Sequence, residues 1–210
     1  DEIHGGEGND TIEGGEGNDT LNGEGGDDTI SGNDSQNGGG DDVIRGGDGD
    51  DILRASGNSI IYGDDGDDWF HYVAGTGKYD HGLIIYGGNG NDQFDILTVK
   101  TLEAGAGDDT VRLEEVNGSR ETPTLISGGD GYDSLEISSG GAYNEFEDWS
   151  SITGFEQIEY KDRAPSIVFA DALGQSGTTL KVLFSANSGA NLDFSAETDT
   201  TIEINTNTRP

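Results

Sequence analysis

Residues 5–31 read GGEGNDTIE, GGEGNDTLN and GEGGDDTIS, one nine-residue unit written three times. The series continues with NGGGDDVIR at 37–45, GGDGDDILR at 46–54, GDDGDDWFH at 63–71, GGNGNDQFD at 87–95, AGAGDDTVR at 104–112 and GGDGYDSLE at 128–136. Five of these nine copies match GGxGxD in full, and all nine keep Gly at the fourth place and Asp at the sixth. Asp1 to His4 read as the last four places of another copy, as expected of an array that extends further upstream.

Each unit has a turn half and a strand half. The glycines permit backbone angles that a Cβ forbids, so the chain can reverse sharply. The last three places alternate polar, apolar, polar, as in Thr11-Ile12-Glu13 and Thr20-Leu21-Asn22. That alternation sends the central side chain inward and its neighbours outward. A three-residue strand cannot stand alone, but stacked on like neighbours it buries a thin continuous core.

The rest of the composition narrows the classes. The 210 residues carry 43 acidic and 10 basic side chains, a net charge of −33, with no Cys and no Met. Leu, Ile, Val and Phe make only about a fifth of the chain, at the border of compositions that stay disordered. So large a charge opposes any compact state, and something positive is expected to take part in the fold. Nucleic acid would be repelled, and no apolar run reaches a membrane span of roughly 20 residues. Without Cys there is no disulfide framework and no thiolate zinc site, which fits an extracellular setting. Residues 1–141 hold 33 of the 37 glycines, and the shift near 141 divides a repeat array from a region at 142–210 with more apolar alternation.

With its GGxGxDxUx units, the chain resembles the RTX (repeat-in-toxin) family over about residues 1–141. The resemblance implies an all-β fold, a right-handed parallel β-roll or β-solenoid in which two nonapeptides form one coil. It implies calcium between turns stacked on the same side, held by backbone carbonyls of the turn and by the sixth-place carboxylate. The chemistry agrees, since calcium takes six to eight hard oxygens in irregular geometry, whereas zinc and copper prefer imidazole or thiolate.

Alternate assignment puts the turns starting at 5, 23, 46, 63, 87, 104 and 128 on one side of the roll. Their sixth-place carboxylates are Asp10, Asp28, Asp51, Asp68, Asp92, Asp109 and Asp133. The carbonyl donors implied by the resemblance lie at place one (Gly5, Gly23, Gly46, Gly63, Gly87, Ala104 and Gly128) and at place three (Glu7, Gly25, Asp48, Asp65, Asn89, Ala106 and Asp130). On the other side only the turns at 14 and 37 keep the pattern, through Asp19 and Asp42, the latter after an insertion at 32–36. That side then degenerates through Ser56-Gly57-Asn58-Ser59 and the segments 72–82, 96–102 and 113–124. Seven turns leave six gaps, and Asp19 with Asp42 adds one, so about six to eight calcium ions are expected. Seven ions would offset about 14 of the 33 negative charges.

The aromatic strand Trp69-Phe70-His71-Tyr72 lies beside Lys78, Tyr79, Asp80 and His81. Alternation turns Phe70 inward and leaves Trp69 and His71 outward, a surface that reads as loop decoration or as a platform for a glycan or cell-surface ligand. His4, His71 and His81 make no catalytic set, and no GxSxG or HExxH motif occurs. Acidic pairs such as Asp108-Asp109 recur at fixed repeat places, which marks them as structural rather than catalytic.

A solenoid end exposes an apolar cross-section and strand edges, so a C-terminal β capping region is expected, with Trp149, Ile152, Phe155 and Ile158 as its plug. Further strands are expected over 166–170, 179–185, 191–195 and 200–205, either extending the roll or starting another domain. The resulting expectation is a non-enzymatic calcium-binding module, part of a longer polypeptide that is secreted or displayed at a cell surface. It would fold on meeting extracellular calcium and support type I secretion. The alternatives are an adhesion or carbohydrate-binding module with calcium as scaffold, and an accessory domain of a secreted polysaccharide-active enzyme or protease whose catalysis lies elsewhere.

Overall fold

The computed structural model describes residues 1–32, 40–71, 82–96, 99–114, 123–138, 151–161, 167–168, 179–184, 192–193 and 201–206. Lys78 to His81 and Trp149 lie outside these, as do most of the strands expected at 166–170 and 191–195.

The described residues form strands and turns, without a helix. A first sheet contains Glu2–Glu7, Thr20–Gly25, Val43–Asp48, Ile60–Asp65, Ile84–Asn89, Thr101–Ala106, Leu125–Asp130 and Ile152–Thr153. A second contains Thr11–Glu13, Thr29–Ser31, Ile52–Arg54, Trp69–His71, Gln93–Ile96, Thr110–Glu114, Ser134–Ser138, Gln157–Tyr160, Thr179–Phe184 and Thr201–Thr206. Every pairing is parallel, and the chain alternates between the two sheets, so it winds as a parallel β-roll. Ile167–Val168 and Leu192–Asp193 pair with each other in a small third sheet.

The eighth place of each repeat supplies the core. Leu21, Ile44, Ile61, Ile85, Leu102, Ile126 and Ile152 come from the first sheet, and Ile12, Ile30, Leu53, Phe70, Phe94, Val111, Leu135 and Ile158 from the second. Register places each row in line, as in Leu21↔Ile44↔Ile61 and Phe70↔Phe94↔Val111. The Phe70 and Phe94 rings stack with centroids 4.6 Å apart. Each such side chain contributes about 1.5–3 kcal/mol on burial, in a core only two side chains deep.

All seven intact turns, at 5, 23, 46, 63, 87, 104 and 128, run from the first sheet to the second, on one side of the roll. The other side changes character along its length. From Gln93–Ile96 onward the second-sheet strands lengthen, and Ile96, Leu113, Ile137 and Tyr160 form an additional buried row in register. Apolar packing takes over on the side where the Gly-Asp pattern is lost.

The insertion near residue 37 sits differently from the expectation. Gly32 itself occupies place one, accepting a hydrogen bond from Gly15 N and donating to Arg54 O. The extra residues therefore come after Gly32 and fall within 33–39, outside the described residues. The Gly that opens the turn is the one that can approach the neighbouring backbone, however long the turn behind it. The expected plug is also built as a coil: Ile152, Phe155 and Ile158 are fully buried, and Gln157–Tyr160 pairs on one edge with Ser134–Ser138 and on the other with Thr179–Phe184.

Place two of the turns requires positive φ, and two turns put a side chain there: Glu24 (φ 76°) and Asp64 (φ 75°). A non-Gly residue there costs about 1–2 kcal/mol, against about 0.5–1 kcal/mol for the extra entropy of Gly. Glu24→Gly is expected to raise calcium-loaded stability by about 0.5–1 kcal/mol in urea unfolding. An unchanged or lower midpoint would refute strain at this place. Ile96→Ala, in the apolar row, is expected to cost about 2–5 kcal/mol while leaving the ion count by native mass spectrometry unchanged.

Candidate metal centre

The sixth-place aspartates lie four residues beyond the sharp bend at place two and immediately precede a strand, which aims them into the stack. Asp28, Asp51, Asp68, Asp92, Asp109 and Asp133 are no more than 2 % exposed. Each backbone N–H at place six donates to the carboxylate of the following turn: Asp10 to Asp28, Asp28 to Asp51, Asp51 to Asp68, Asp68 to Asp92, Asp92 to Asp109 and Asp109 to Asp133. These bonds span 2.7–2.9 Å and all use Oδ1.

The other oxygen has no such partner. Oδ2 is buried and without a hydrogen bond in all nine of Asp10, Asp28, Asp51, Asp68, Asp92, Asp109, Asp133, Asp19 and Asp42. An unpaired buried carboxylate oxygen is costly, and its recurrence on every turn calls for a common partner.

Backbone oxygens converge on the same places. Where a Cβ would stand on Gly5, it would lie 2.7 Å from Asp10 Oδ2 and 2.9 Å from Gly23 O. The same pairing recurs at Gly23 with Asp28 Oδ2 and Gly46 O, and at Gly46 with Asp51 Oδ2 and Gly63 O. It continues at Gly63 with Asp68 Oδ2 and Gly87 O, and at Gly87 with Asp92 Oδ2 and Ala104 O. At these glycines place one is thus a cradle that a Cβ would fill, and in the turn at 104 the buried methyl of Ala104 stands there. The place-three carbonyls serve the stack: Gly25, Asp48, Asp65, Asn89, Ala106 and Asp130 each accept the place-four N–H of the preceding turn, retaining a second lone pair. Glu7 occupies the same place in the first turn.

A second ladder runs the opposite way. Place-five side chains accept the N–H of the next turn's place five, from Asn9 through Asp27, Asp50, Asp67, Asn91 and Asp108 to Tyr132 N, at 2.7–3.1 Å. The sequence alone did not reveal this use of the fifth place, although Asn or Asp stands there in six of the seven turns.

On the other side Asp19 N donates to Asp42 Oδ1, and Asp42 N donates to Ser59 Oγ, whose hydroxyl donates to Ser56 O. The Ser59 hydroxyl is satisfied without a cation, so this carboxylate ladder ends after two members.

Electrostatics matches the geometry. Burial, partly offset by the N–H of the preceding Asp and reinforced by neighbouring carboxylates, pushes Asp68 up to about 8 and Asp109 and Asp133 to about 7. Burial likewise raises Asp51 and Asp92 to about 6. No three His, Cys, Asp or Glu side chains meet at one point among the described residues. The donor sets are therefore carboxylates among backbone carbonyls, hard oxygens suited to a cation such as calcium.

Sequence reading missed the last rung. Asp133 N donates to Glu156 Oε2 at 2.8 Å, and Gly154 O and Asp133 Oδ2 both border the place where a Cβ on Gly128 would stand. The available signal was the run Ser151-Ile152-Thr153-Gly154, which repeats the apolar alternation and the place-one Gly without the rest of the motif.

Trp69, 36 % exposed, donates Nε1–H to Asp95 at 2.7 Å and lies against His71. Asp95 also accepts from Arg112, which bonds Glu136, so the outward face at Trp69 is tied into an ion network.

The family model described as the RTX calcium-binding nonapeptide repeat matches residues 1–37, 38–56, 55–77, 84–95 and 101–115. No curated protein and no solved structure matches the chain significantly.

An acid whose pKa is higher in the folded state holds its proton more tightly when folded. It favours folding at low pH and opposes it as pH rises through the folded value. With calcium chelated, stability is therefore expected to fall as pH climbs from about 4, the ordinary carboxylate value, to about 8, levelling off as Asp51 and Asp92 lose their protons at about 6, Asp109 and Asp133 at about 7 and Asp68 at about 8. Thermal melts in chelator at several pH values test this, and a flat or rising profile would contradict it.

Proposed function

Because the chain belongs to the RTX calcium-binding nonapeptide repeat family, we propose that its roll is a calcium-assembled folding module of a secreted protein. The observation that carries this reading is the row of buried, unpartnered Oδ2 atoms on all nine sixth-place aspartates. The proposed ligands are Asp10, Asp28, Asp51, Asp68, Asp92, Asp109 and Asp133 with the place-one and place-three carbonyls of their turns, and Asp19 with Asp42 on the short side. Bound calcium would supply the positive charge and the six to eight oxygen bonds that such a site allows. Six gaps on the long side and one on the short side give about seven ions.

The chain's own residues set the direction of the switch. Where calcium is scarce, buried carboxylates stacked with raised pKa oppose the fold, and the net charge of −33 extends the chain. An extended chain suits passage through a secretion channel, which is the proposed link to type I secretion. Outside, millimolar calcium meets sites with affinities of about 10⁻⁴–10⁻³ M, and each site stabilises by RT ln(1 + [L]/Kd). Since the carboxylate of one turn holds the N–H of the turn before, filling one gap orders the next, and cooperative binding results. The RTX repeat is a structural calcium-binding repeat, and any catalysis of the parent protein is assigned to a region outside this chain. The division at 141 is proposed to separate the calcium-bearing turns from a cap at 142–210 that continues the second sheet.

A calcium titration from chelator, followed by circular dichroism with ions counted by native mass spectrometry, tests the proposal. A cooperative gain of β-structure with about six to eight ions is expected, and a chain fully folded in chelator would overturn it. Asp68→Asn makes the test sharper, because the amide oxygen can still accept the Asp51 N–H. This variant is expected to bind one or two fewer ions while being more stable than the parent in chelator at about pH 8, where the buried charge is gone.

A further inference from the structure

We propose that the closing turn Gly154-Phe155-Glu156 completes one more cation site with Asp133, a site built without a nonapeptide on its far side. The inference rests on the calcium reading above. Three observations set it apart from the ordinary gaps.

First, the oxygens recur. Asp133 is fully buried, its Oδ2 has no hydrogen-bond partner, and both that oxygen and Gly154 O border the place where a Cβ on Gly128 would stand. That is the pairing found at Gly5, Gly23, Gly46, Gly63 and Gly87.

Second, Glu156 does the work of a sixth-place Asp. It is 6 % exposed, and its Oε2 accepts the Asp133 N–H as Asp133 itself accepts that of Asp109. Register shows how a longer side chain comes to serve. Ser127 pairs with Thr153 and Ser134 with Gln157, so only Gly154, Phe155 and Glu156 join strands that six residues join in the preceding coil. The shortened turn has no counterpart to the outward Gly-rich bend, and Phe155 is fully buried. The additional methylene of Glu156 lets the carboxylate reach back to Asp133 from this tighter path.

Third, the turn is fastened on both sides. Glu156 N donates to Asp133 O at 3.1 Å, and Lys181 N donates to Glu156 O at 2.8 Å. A cation held by Asp133, Gly154 O and Glu156 would tie the carboxylate ladder to the strand Thr179–Phe184. With fewer turn carbonyls to offer, this site is the weakest of the long side and fills last.

The test compares the full chain with Glu156→Gln by native mass spectrometry across a calcium titration. The glutamine oxygen can still accept the Asp133 N–H, but the charge is lost. The variant is expected to bind one ion fewer at millimolar calcium, with the earlier steps unshifted. An equal count and an equal last step would overturn the inference. If Glu156→Gln does not fold, Glu156→Asp replaces it: the carboxylate is drawn back, and the last ion is expected to bind about tenfold more weakly, with unchanged affinity overturning the inference. A parent chain that binds no calcium would instead sink the ladder reading itself, so the two failures are distinguishable.

Discussion

Stacking one carboxylate per rung is the constraint on which the rest of this structure depends. Parallel strands lie about 4.8 Å apart, so the sixth-place aspartates are brought to roughly that separation. At an effective dielectric of about 20, two unit charges at this distance repel by about 3 kcal/mol. The N–H from the preceding turn satisfies Oδ1, and among the described residues nothing satisfies Oδ2. The raised pKa values of Asp51, Asp68, Asp92, Asp109 and Asp133 express the same conflict. A thin apolar core cannot outweigh it over many rungs, and a divalent cation between carbonyl-lined turns can.

The two sides of the roll meet the constraint in different ways. One keeps seven Gly-Asp turns and with them seven carboxylates whose Oδ2 has no hydrogen-bond partner. The other abandons carboxylates after Asp42, ends its ladder on the self-satisfied Ser59 hydroxyl, and adds the buried row Ile96, Leu113, Ile137 and Tyr160. A seam of stacked carboxylates and a seam that turns apolar after Asp42 thus run along the same coil. The spacers of unequal length fall on the second side, including the one between Gly32 and Asp42, which still leaves Asp42 in register with Asp19. Successive ladder aspartates are accordingly separated by 18, 23, 17, 24, 17 and 24 residues without any break in register.

The outward face of the second sheet shows where the few basic residues are used. Arg112 bridges Asp95 and Glu136 at 3.2 and 2.9 Å, and Lys161 lies between Glu136 and Glu159 at 3.3 and 2.9 Å. These pairs are partly exposed and each is worth little alone. As a connected strip they offset repulsion across four neighbouring strands, and through Asp95 they also hold the indole of Trp69. That surface is accordingly less free than an exposed aromatic strand suggests from its sequence.

The repeat itself carried most of the fold. The Gly at place four, the Asp at place six and the apolar residue at place eight are read directly from residues 5–136, because each answers a local demand of bend, charge or alternation. The assignment of turns to two sides is also legible in the sequence, since it needs only that successive turns alternate. Tertiary structure decided everything that depends on neighbours one coil away. Only there does Gly32 prove to open its turn, Glu156 extend the aspartate ladder, and the fifth place form a ladder of its own. Residues 152, 155 and 158 close the array as a further coil because a parallel strand edge is best covered by another strand in register. Such relations join residues 17 to 24 apart, a separation that varies with insertions and leaves no fixed period in the chain. The periodic part of the protein was therefore written locally, and its exceptions were settled by stacking.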